Sequence, residues 1–451
     1  MEYALAGGST DGGLIDPLRF DTPPAQNYVI QRRQARWLPT GATSGFSPTG
    51  VNQCRLTFTG SGWLDLSTLR IQSTVNANKT SGTLNELTLY VSPALWVDRV
   101  RVLSQGTTLE DTHYFGKAET LISRMCGPSF HENDLSQGFV KCFEMADVDD
   151  ENCGHGSLPL NGTGGKATGM FTPRALGIVR QGRWWPMSYA PLTLEIWIAL
   201  YANWIQDTSW PGCNPTIDNI CAHCDVCTLT SKLEESWSRY LLSGKVLTFP
   251  TTQIIGQYAT IPASKDCTVS IVRALTRLRC MWIVFNRNSN ADPQQFAVPD
   301  TRYNSLLAHK NFCDASFSAQ ISIGSQLFPD SPMDNYTMYS QLKQTVGQLD
   351  STLKTMLPMY NYLGGPGGFT SFVLGFPFMR CEGYSNGISL RAGDLMTLRL
   401  HNIPQASDMQ SQLGGVGNPS NMPTDPINSA WLFLYADVII QVGDGSVVVL
   451  D

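Results

Sequence analysis

The chain has 451 residues, more than one hydrophobic core ordinarily serves, so two domains of about 200 residues each are expected. Hydrophobic residues make up 42% and charged residues only 15%, with 40 Gly and 26 Pro, which excludes a disordered chain and argues against a helical bundle. The net charge of −6 argues against a protein that packages nucleic acid through a general basic excess.

Residues 1–48 are rich in Gly, Pro and Thr without sustained periodicity, and Pro17, Pro23, Pro24, Pro39 and Pro48 exclude helix, so this stretch reads as an extended arm. Its start has neither a basic nor an apolar leader region, and no signal peptide is expected. Twelve cysteines in that setting suggest reduced thiols in cytoplasm or nucleus. One run on the arm, from Gln31 through Arg32, Arg33 and Arg36 to Trp37, is basic and aromatic. It suits a protein-protein contact or a solvated segment better than a lipid or genome contact.

From Cys54 the pattern becomes that of short strands separated by Gly and Pro. Leu56, Phe58, Leu64, Leu66, Leu69 and Ile71 alternate with Thr, Ser and Gly, and Val100, Leu192–Ile198 and Cys227–Thr230 continue the series. A second series follows at Val246, Val269, Met281–Phe285, Ile321, Met396–Leu400 and Trp431–Ile440. Two helices interrupt it. The segment 113–125 places Phe115, Ala118, Ile122 and Met125 on one face, and 336–356 does the same with Met338, Leu342, Val346, Leu349, Leu353 and Met356. The apolar stretch Trp184–Ile205 is broken by Pro186, Pro191 and Glu195 and does not read as a membrane span.

A faint duplication runs through these elements. Val100–Gly106 and Ile321–Leu327 are each a strand running into a glycine turn ahead of a helix, with Ser-Gln at 104–105 and again at 325–326, an offset of 221. Leu158-Pro-Leu and Phe376-Pro-Phe are offset by 218 (159 to 377). Thr193 and Thr397 in the strands that follow are offset by 204. The shrinking offset predicts about fourteen extra residues in the first copy's loop between those two strands. The competing reading is one large irregular β protein.

The sharpest chemical signal is Cys221-Ala-His223-Cys224-Asp-Val-Cys227, with Cys213 upstream. Thiols and an imidazole at this spacing could close a zinc knuckle or a disulfide, although the second ligand pair of a zinc finger is missing. Cys227 begins an apparent strand, where cysteine often serves as a small apolar residue. A plain loop holding no metal is the expectation. Gly162–Lys166 lacks the spacing of a phosphate loop, and the nucleophile-elbow and zinc-protease signatures do not occur. The acidic runs Asp149–Glu151 and Glu234-Glu235, read as strand, would send neighbouring carboxylates to opposite faces. His113, His131, His155, His309 and His401 are scattered. No catalytic residue and no cofactor is expected.

Both halves thus show a strand, a Ser-Gln turn and a helix. The first adds Leu158-Pro-Leu, Met170-Phe, Trp185-Pro-Met and Tyr189-Ala-Pro-Leu-Thr-Leu-Glu-Ile. The chain from about 50 to 451 resembles the double jelly-roll major capsid proteins of adenoviruses, tailless membrane-containing phages, virophages, polinton-like viruses and large DNA viruses. The resemblance implies an all-β fold of two tandem eight-stranded jelly-roll β-sandwiches, at 49–236 and 237–451, with a few short helices in the connecting loops. It further implies a structural, non-enzymatic protein of the virion, assembled in the host cytoplasm or nucleus. Its homotrimeric, pseudo-hexagonal capsomers would tile an icosahedral shell. The partners implied are the chain itself, neighbouring capsomers, minor capsid or penton proteins and, through the arm, an internal membrane, with no sequence-specific nucleic acid. Loops 133–157 and 286–312 are the candidates for the capsomer top. Two other readings compete: a minor capsid or spike protein, and a carbohydrate-binding or glycoside-cleaving β-sandwich using some of the eleven tryptophans as sugar platforms.

Overall fold

The computed structural model describes residues 28–76, 86–90, 93–125, 155–159, 166–201, 204, 215–262, 264–287, 317–346, 373–378, 387–390, 395–403, 427–443 and 445–450. In chain order the first half contains strands β1 (Val29–Trp37), β2 (Gln53–Phe58), β3 (Trp63–Asn76), β4 (Glu86–Tyr90), β5 (Val97–Ser104) and β6 (Thr107–His113), then helix α1 (Phe115–Met125). It continues with β7 (His155–Pro159), β8 (Lys166–Phe171), helix α2 (Gly177–Arg180), β9 (Trp185–Pro186), β10 (Leu192–Ile198) and β11 (Thr216–Leu229). Helix α3 (Ser231–Leu242) leads into β12 (Leu247–Thr260), β13 (Cys267–Ile271), β14 (Leu278–Arg287), β15 (Ser318–Ile323) and β16 (Gln326–Met333). Helix α4 (Asn335–Val346), β17 (Val373–Pro377), β18 (Met396–His401), β19 (Ile427–Gly443) and β20 (Ser446–Leu450) complete the chain.

The pairing repeats. One sheet runs β1-β11-β3-β8 and faces a second, β2-β10-β5-β6; in the other half β12-β19-β14-β17 faces β13-β18-β15-β16. Numbered within their own half, the eight principal strands pair as 1-8-3-6 and 2-7-4-5 in both cases. That antiparallel order is the jelly roll, built twice. β9 and β20 add to the long sheets, and β4 with β7 forms a separate two-stranded ribbon.

The internal duplication is therefore present, but two of its expected correspondences are displaced. The turns Ser104–Thr107 and Ile323–Gln326 close equivalent hairpins, since each pair faces across its own turn. Ser104 thus matches Ile323 (104 to 323, an offset of 219), and the two Ser-Gln pairs are out of step by two residues. Leu158-Pro159 lies in β7, outside the eight principal strands. The partner of Phe376 in β17 is Phe171 in β8: each lies against the third strand of its sandwich and faces the core. From 171 to 376 the offset is 205, almost that of Thr193 and Thr397. The fourteen extra residues consequently precede β8 rather than follow it.

The segment expected as arm also needs correction. Val29–Trp37 is the edge strand of the first sandwich, in register with β11 from Arg32 opposite Cys227 to Arg36 opposite His223. Ala35 and Trp37 pack on the core, and Trp37 lies 5.0 Å from Phe58. The boundary expected at 236/237 falls within α3, which also contains Glu234 and Glu235. The second predicted helix is formed over 335–346, and its predicted remainder lies outside the described residues. The same holds for residues 1–27 and for most of loops 133–157 and 286–312.

One sheet explains the most apolar runs. In β14, Cys280, Trp282 and Val284 belong to the core shared with the first sandwich, whereas Met281, Ile283 and Phe285 line the core of the second. β19 repeats this, with Trp431, Phe433 and Tyr435 on one side and Leu432, Leu434 and Ala436 on the other. A sheet buried on both faces has no polar side, so its strands read as continuous apolar sequence rather than alternation.

Candidate functional site

The shared sheet makes the two sandwiches one block, and the seam between them is closely packed. Helix α2 rests on β12 with Gly177 facing the Thr252 carbonyl; a Cβ at 177 would lie 1.6 Å from that oxygen. From the other side Gly256 meets the His113 carbonyl, where a Cβ would stand 2.6 Å away. Arg180 donates to the Thr252 hydroxyl at 3.2 Å and to the Tyr435 hydroxyl at 3.4 Å, and Arg183 donates to the Thr248 carbonyl at 2.6 Å. Lys117 of α1 places Nζ 3.4 Å from the centre of the Trp431 ring, a cation–π contact between sandwiches. The Trp185 and Phe249 rings meet across the seam, tilted by 39° with centroids 5.0 Å apart.

Two buried acids hold the first sandwich's side of this seam. Glu110 on β6 accepts from the amides of Gly177 and Ile178 at 2.9 and 3.3 Å, and Glu119 on α1 accepts from Ala175 at 2.7 Å. Burial pushes the Glu110 carboxyl up to about 7, against the opposing pull of the two amides and Arg180. On the far wall Asp437 is 2.6 Å from Arg279, and burial raises that acid as well.

The outward face of the β2-β10-β5-β6 sheet carries a cross-strand row. Arg55 on β2, Glu195 on β10 and Arg101 on β5 stand directly opposite one another. Glu195 is 1% exposed. It accepts from Arg55 Nη2 at 2.5 Å and from Arg101 Nε at 2.8 Å, with Arg101 Nη2 also on the same carboxylate. Burial alone would raise this carboxyl, but the two arginines outweigh it and hold it below its ordinary value. Arg101 and Arg99 also lie over the Trp197 ring, at 5.3 and 4.8 Å.

The cysteine and histidine candidates fall on β11 and are split between its faces. Cys221 and His223 point outward, with Sγ 3.4 Å from Nε2 and Gln72 Oε1 3.0 Å from the same nitrogen. Cys224 points into the core, where its thiol donates to the Asp65 carbonyl at 3.2 Å, and Cys227 is buried near Arg32. Burial raises the thiols of Cys224, to about 12, and Cys227. Zinc requires ligands converging on one point, and Cys224 faces the core, away from Cys221 and His223. Among the described residues no group of three or more His, Cys, Asp or Glu is arranged to hold a metal ion. Cys213 lies outside the described residues. Cys54, Cys221, Cys224, Cys227, Cys267 and Cys280 are all free thiols.

The other residues weighed for chemistry are scattered or tied to neighbours. His401 meets Asp266 at 3.1 Å, His113 is 3.8 Å from Asp111, and Glu234 accepts from Trp63 Nε1 at 3.0 Å. Glu235 pairs with Arg239 one helical turn away. His131, His309, residues 149–151 and 161–165 lie outside the described residues, while Lys166 opens β8. A sugar platform needs an exposed ring, yet Trp63, Trp96, Trp185, Trp204, Trp282 and Trp431 are buried and Trp37, Trp184, Trp197 and Trp237 are half-buried. The seam residues were not legible in the sequence. Only Gly177, between Leu176 and Ile178, signals a close backbone approach.

Two jelly rolls in one chain, joined through a doubly buried sheet, define the double jelly-roll fold. Solved structures with the same arrangement span nearly the whole chain. A chain of the PBCV-1 virus capsid aligns with a TM-score of 0.60 at 9% identity, covering 96% of this chain and 99% of its own. A chain of the Sputnik virophage gives 0.58 at 11% identity, covering 97% and 91%. The Faustovirus major capsid protein gives 0.55 at 6% identity, covering 94% and 93%. No protein-family model and no curated protein matches the sequence. The fold is thus the one these viral capsid chains have, at 6–11% sequence identity.

Proposed function

We propose that this protein is a structural building block of a viral capsid, a major capsid protein that acts by self-assembly. The observation that carries this reading is the rigid double sandwich itself, in an arrangement that solved capsid chains share end to end. A shell subunit must keep its shape under load from its neighbours. A β-sheet buried on both faces, flanked by glycines that admit no side chain, meets that need. The buried acids described above serve the scaffold, each held by amides or arginines, which accords with a protein that performs no catalysis.

Three copies in a ring present six similar sandwiches, a geometry suited to hexagonal tiling. We take the homotrimer as the unit of assembly, with neighbouring capsomers and minor capsid or penton proteins as partners and the virion as its location. Ties of the N-terminal segment to neighbours or to an internal membrane are further contacts that this reading implies. Light scattering on the purified, size-separated protein tests this. The expected mass is three times the 49.6 kDa of the chain. A monomer at all concentrations, under conditions of demonstrated folding, contradicts it.

A further inference from the structure

The outward faces of the first sandwich carry two cross-strand rows of the same design and opposite outcome. In one, Glu195 sits between Arg55 and Arg101 and neutralises them. In the other, His223 on β11 stands directly between Arg36 on β1 and Arg70 on β3. Strands lie about 4.8 Å apart, so the two arginine backbones are separated by roughly 10 Å with the imidazole midway. Here no carboxylate occupies the centre.

Arg32, on the same face, is neutralised. One step along the same three strands Asp225 stands opposite Asp65, and Arg32 serves both, with Nε 2.8 Å from Asp225 and Nη2 2.7 Å from Asp65. Arg55, Arg99, Arg101, Arg239 and Arg279 likewise each hold an acid. Arg36 and Arg70 are both exposed, and among the described residues neither side chain has an ionic or hydrogen-bonding partner. His223 is half-buried between them, flanked by Gln72 and the Cys221 thiol. Its proton affinity is lowered by burial first and then by Arg36 and Arg70, as expected where positive potential is uncompensated. The same potential opposes a metal cation at the Cys221–His223 pair.

We propose that Arg36, His223 and Arg70 form an anion site on the outward face of the first sandwich that takes a phosphate group. Two guanidinium groups on neighbouring but one strands can close on a tetrahedral oxyanion from both sides, and arginine's planar fork suits phosphate oxygens. The rigid sheet fixes their spacing in advance, so little ordering is needed on binding. The phosphate is either a free ion or the headgroup of a phospholipid. The proposal stands apart from the capsid reading, since it rests on the register of one sheet and not on assembly.

The test uses the full chain with inorganic phosphate as the probe, followed by isothermal titration at low ionic strength. Saturable binding is expected, weakened about tenfold or more in the R36Q/R70Q double variant. Both side chains are exposed, and far-ultraviolet circular dichroism checks that the variant folds. R33Q removes a charge from the same strand but from its other face, and is expected to change affinity less than about twofold. Sedimentation with phosphatidic acid vesicles separates the sources. Pelleting that inorganic phosphate competes away assigns a lipid headgroup, and phosphate binding without pelleting assigns the free ion; both support the site. No saturable phosphate binding, equal binding by R36Q/R70Q, or an equal loss in R33Q overturns it.

Discussion

Gly177 and Thr252 meet where the two sandwiches join, and the space between them admits no side chain: a Cβ at 177 would stand 1.6 Å from the Thr252 carbonyl oxygen. The obstacle is backbone on β12, which cannot rotate away. Gly177→Ala must therefore lift helix α2 off the second sandwich or push β12 out of its sheet. The expected cost is at least ~3 kcal/mol, above the usual range for an added methylene because the clash is with main chain. Urea denaturation of the variant against the parent measures it. A Tyr435→Phe variant, which removes only the hydroxyl that Arg180 reaches, is expected to lose less than ~1.5 kcal/mol.

Glu110 gives the seam a pH dependence. Its carboxyl is raised from an ordinary value of 4.5 to about 7 by burial. A folded-state value above the unfolded one means that its contribution is complete below about pH 4.5 and is lost as pH rises through about 7. The loss attributable to this group between pH 5 and pH 8 is about 2–3 kcal/mol. Glu110→Gln keeps an acceptor for the nearer Gly177 amide, turns its NH2 toward Ile178 and cannot ionise. Stability measured from pH 5 to pH 8 should thus fall in the parent and stay flatter in the variant.

Glu195 acts with the opposite sign. Its carboxyl is held below the ordinary value by Arg101 and Arg55 despite burial, so its contribution is present at neutral pH and is lost as pH falls through its folded value. Glu195→Gln leaves two arginines without their anion. Both arginines reach solvent, which screens the remaining charge, so the expected cost at pH 7 is about 1–2 kcal/mol. Thermal melts at pH 7 and pH 3.5 should show the difference shrinking in acid.

The cysteines should behave as core residues. Burial raises the thiols of Cys54 and Cys224 to about 12 and that of Cys280 well above its ordinary value. Thiolate is the reactive form, so iodoacetamide at pH 8 should leave these three unmodified in the folded protein and label them after unfolding, as read by peptide mass spectrometry. A chelator should leave the melting temperature unchanged, because Cys224 faces away from Cys221 and His223.

The sequence showed the fold wherever burial was one-sided or complete. Leu56 and Phe58 alternate with polar neighbours and mark β2, and the unbroken run Met281–Phe285 marks β14. The run's lack of alternation also records its two-sided burial. β1 was hidden for the reverse reason. Its residues are mostly exposed, and Arg32, Arg33 and Arg36 carry no apolar stripe, so only pairing with β11 makes it a strand. Glu234 and Glu235 read as strand because the helix around them buries only Leu241 fully. The row Arg36–His223–Arg70 depends on register between segments far apart in sequence, which no local pattern encodes.

Imaging of the assembled particle tests the central claim most directly. Negative-stain class averages of the size-separated protein should show a compact ring of three copies whose six sandwiches give a pseudo-hexagonal outline, or closed shells built from such units. Isolated two-lobed particles at every concentration, from protein shown to be folded, would contradict the capsid account.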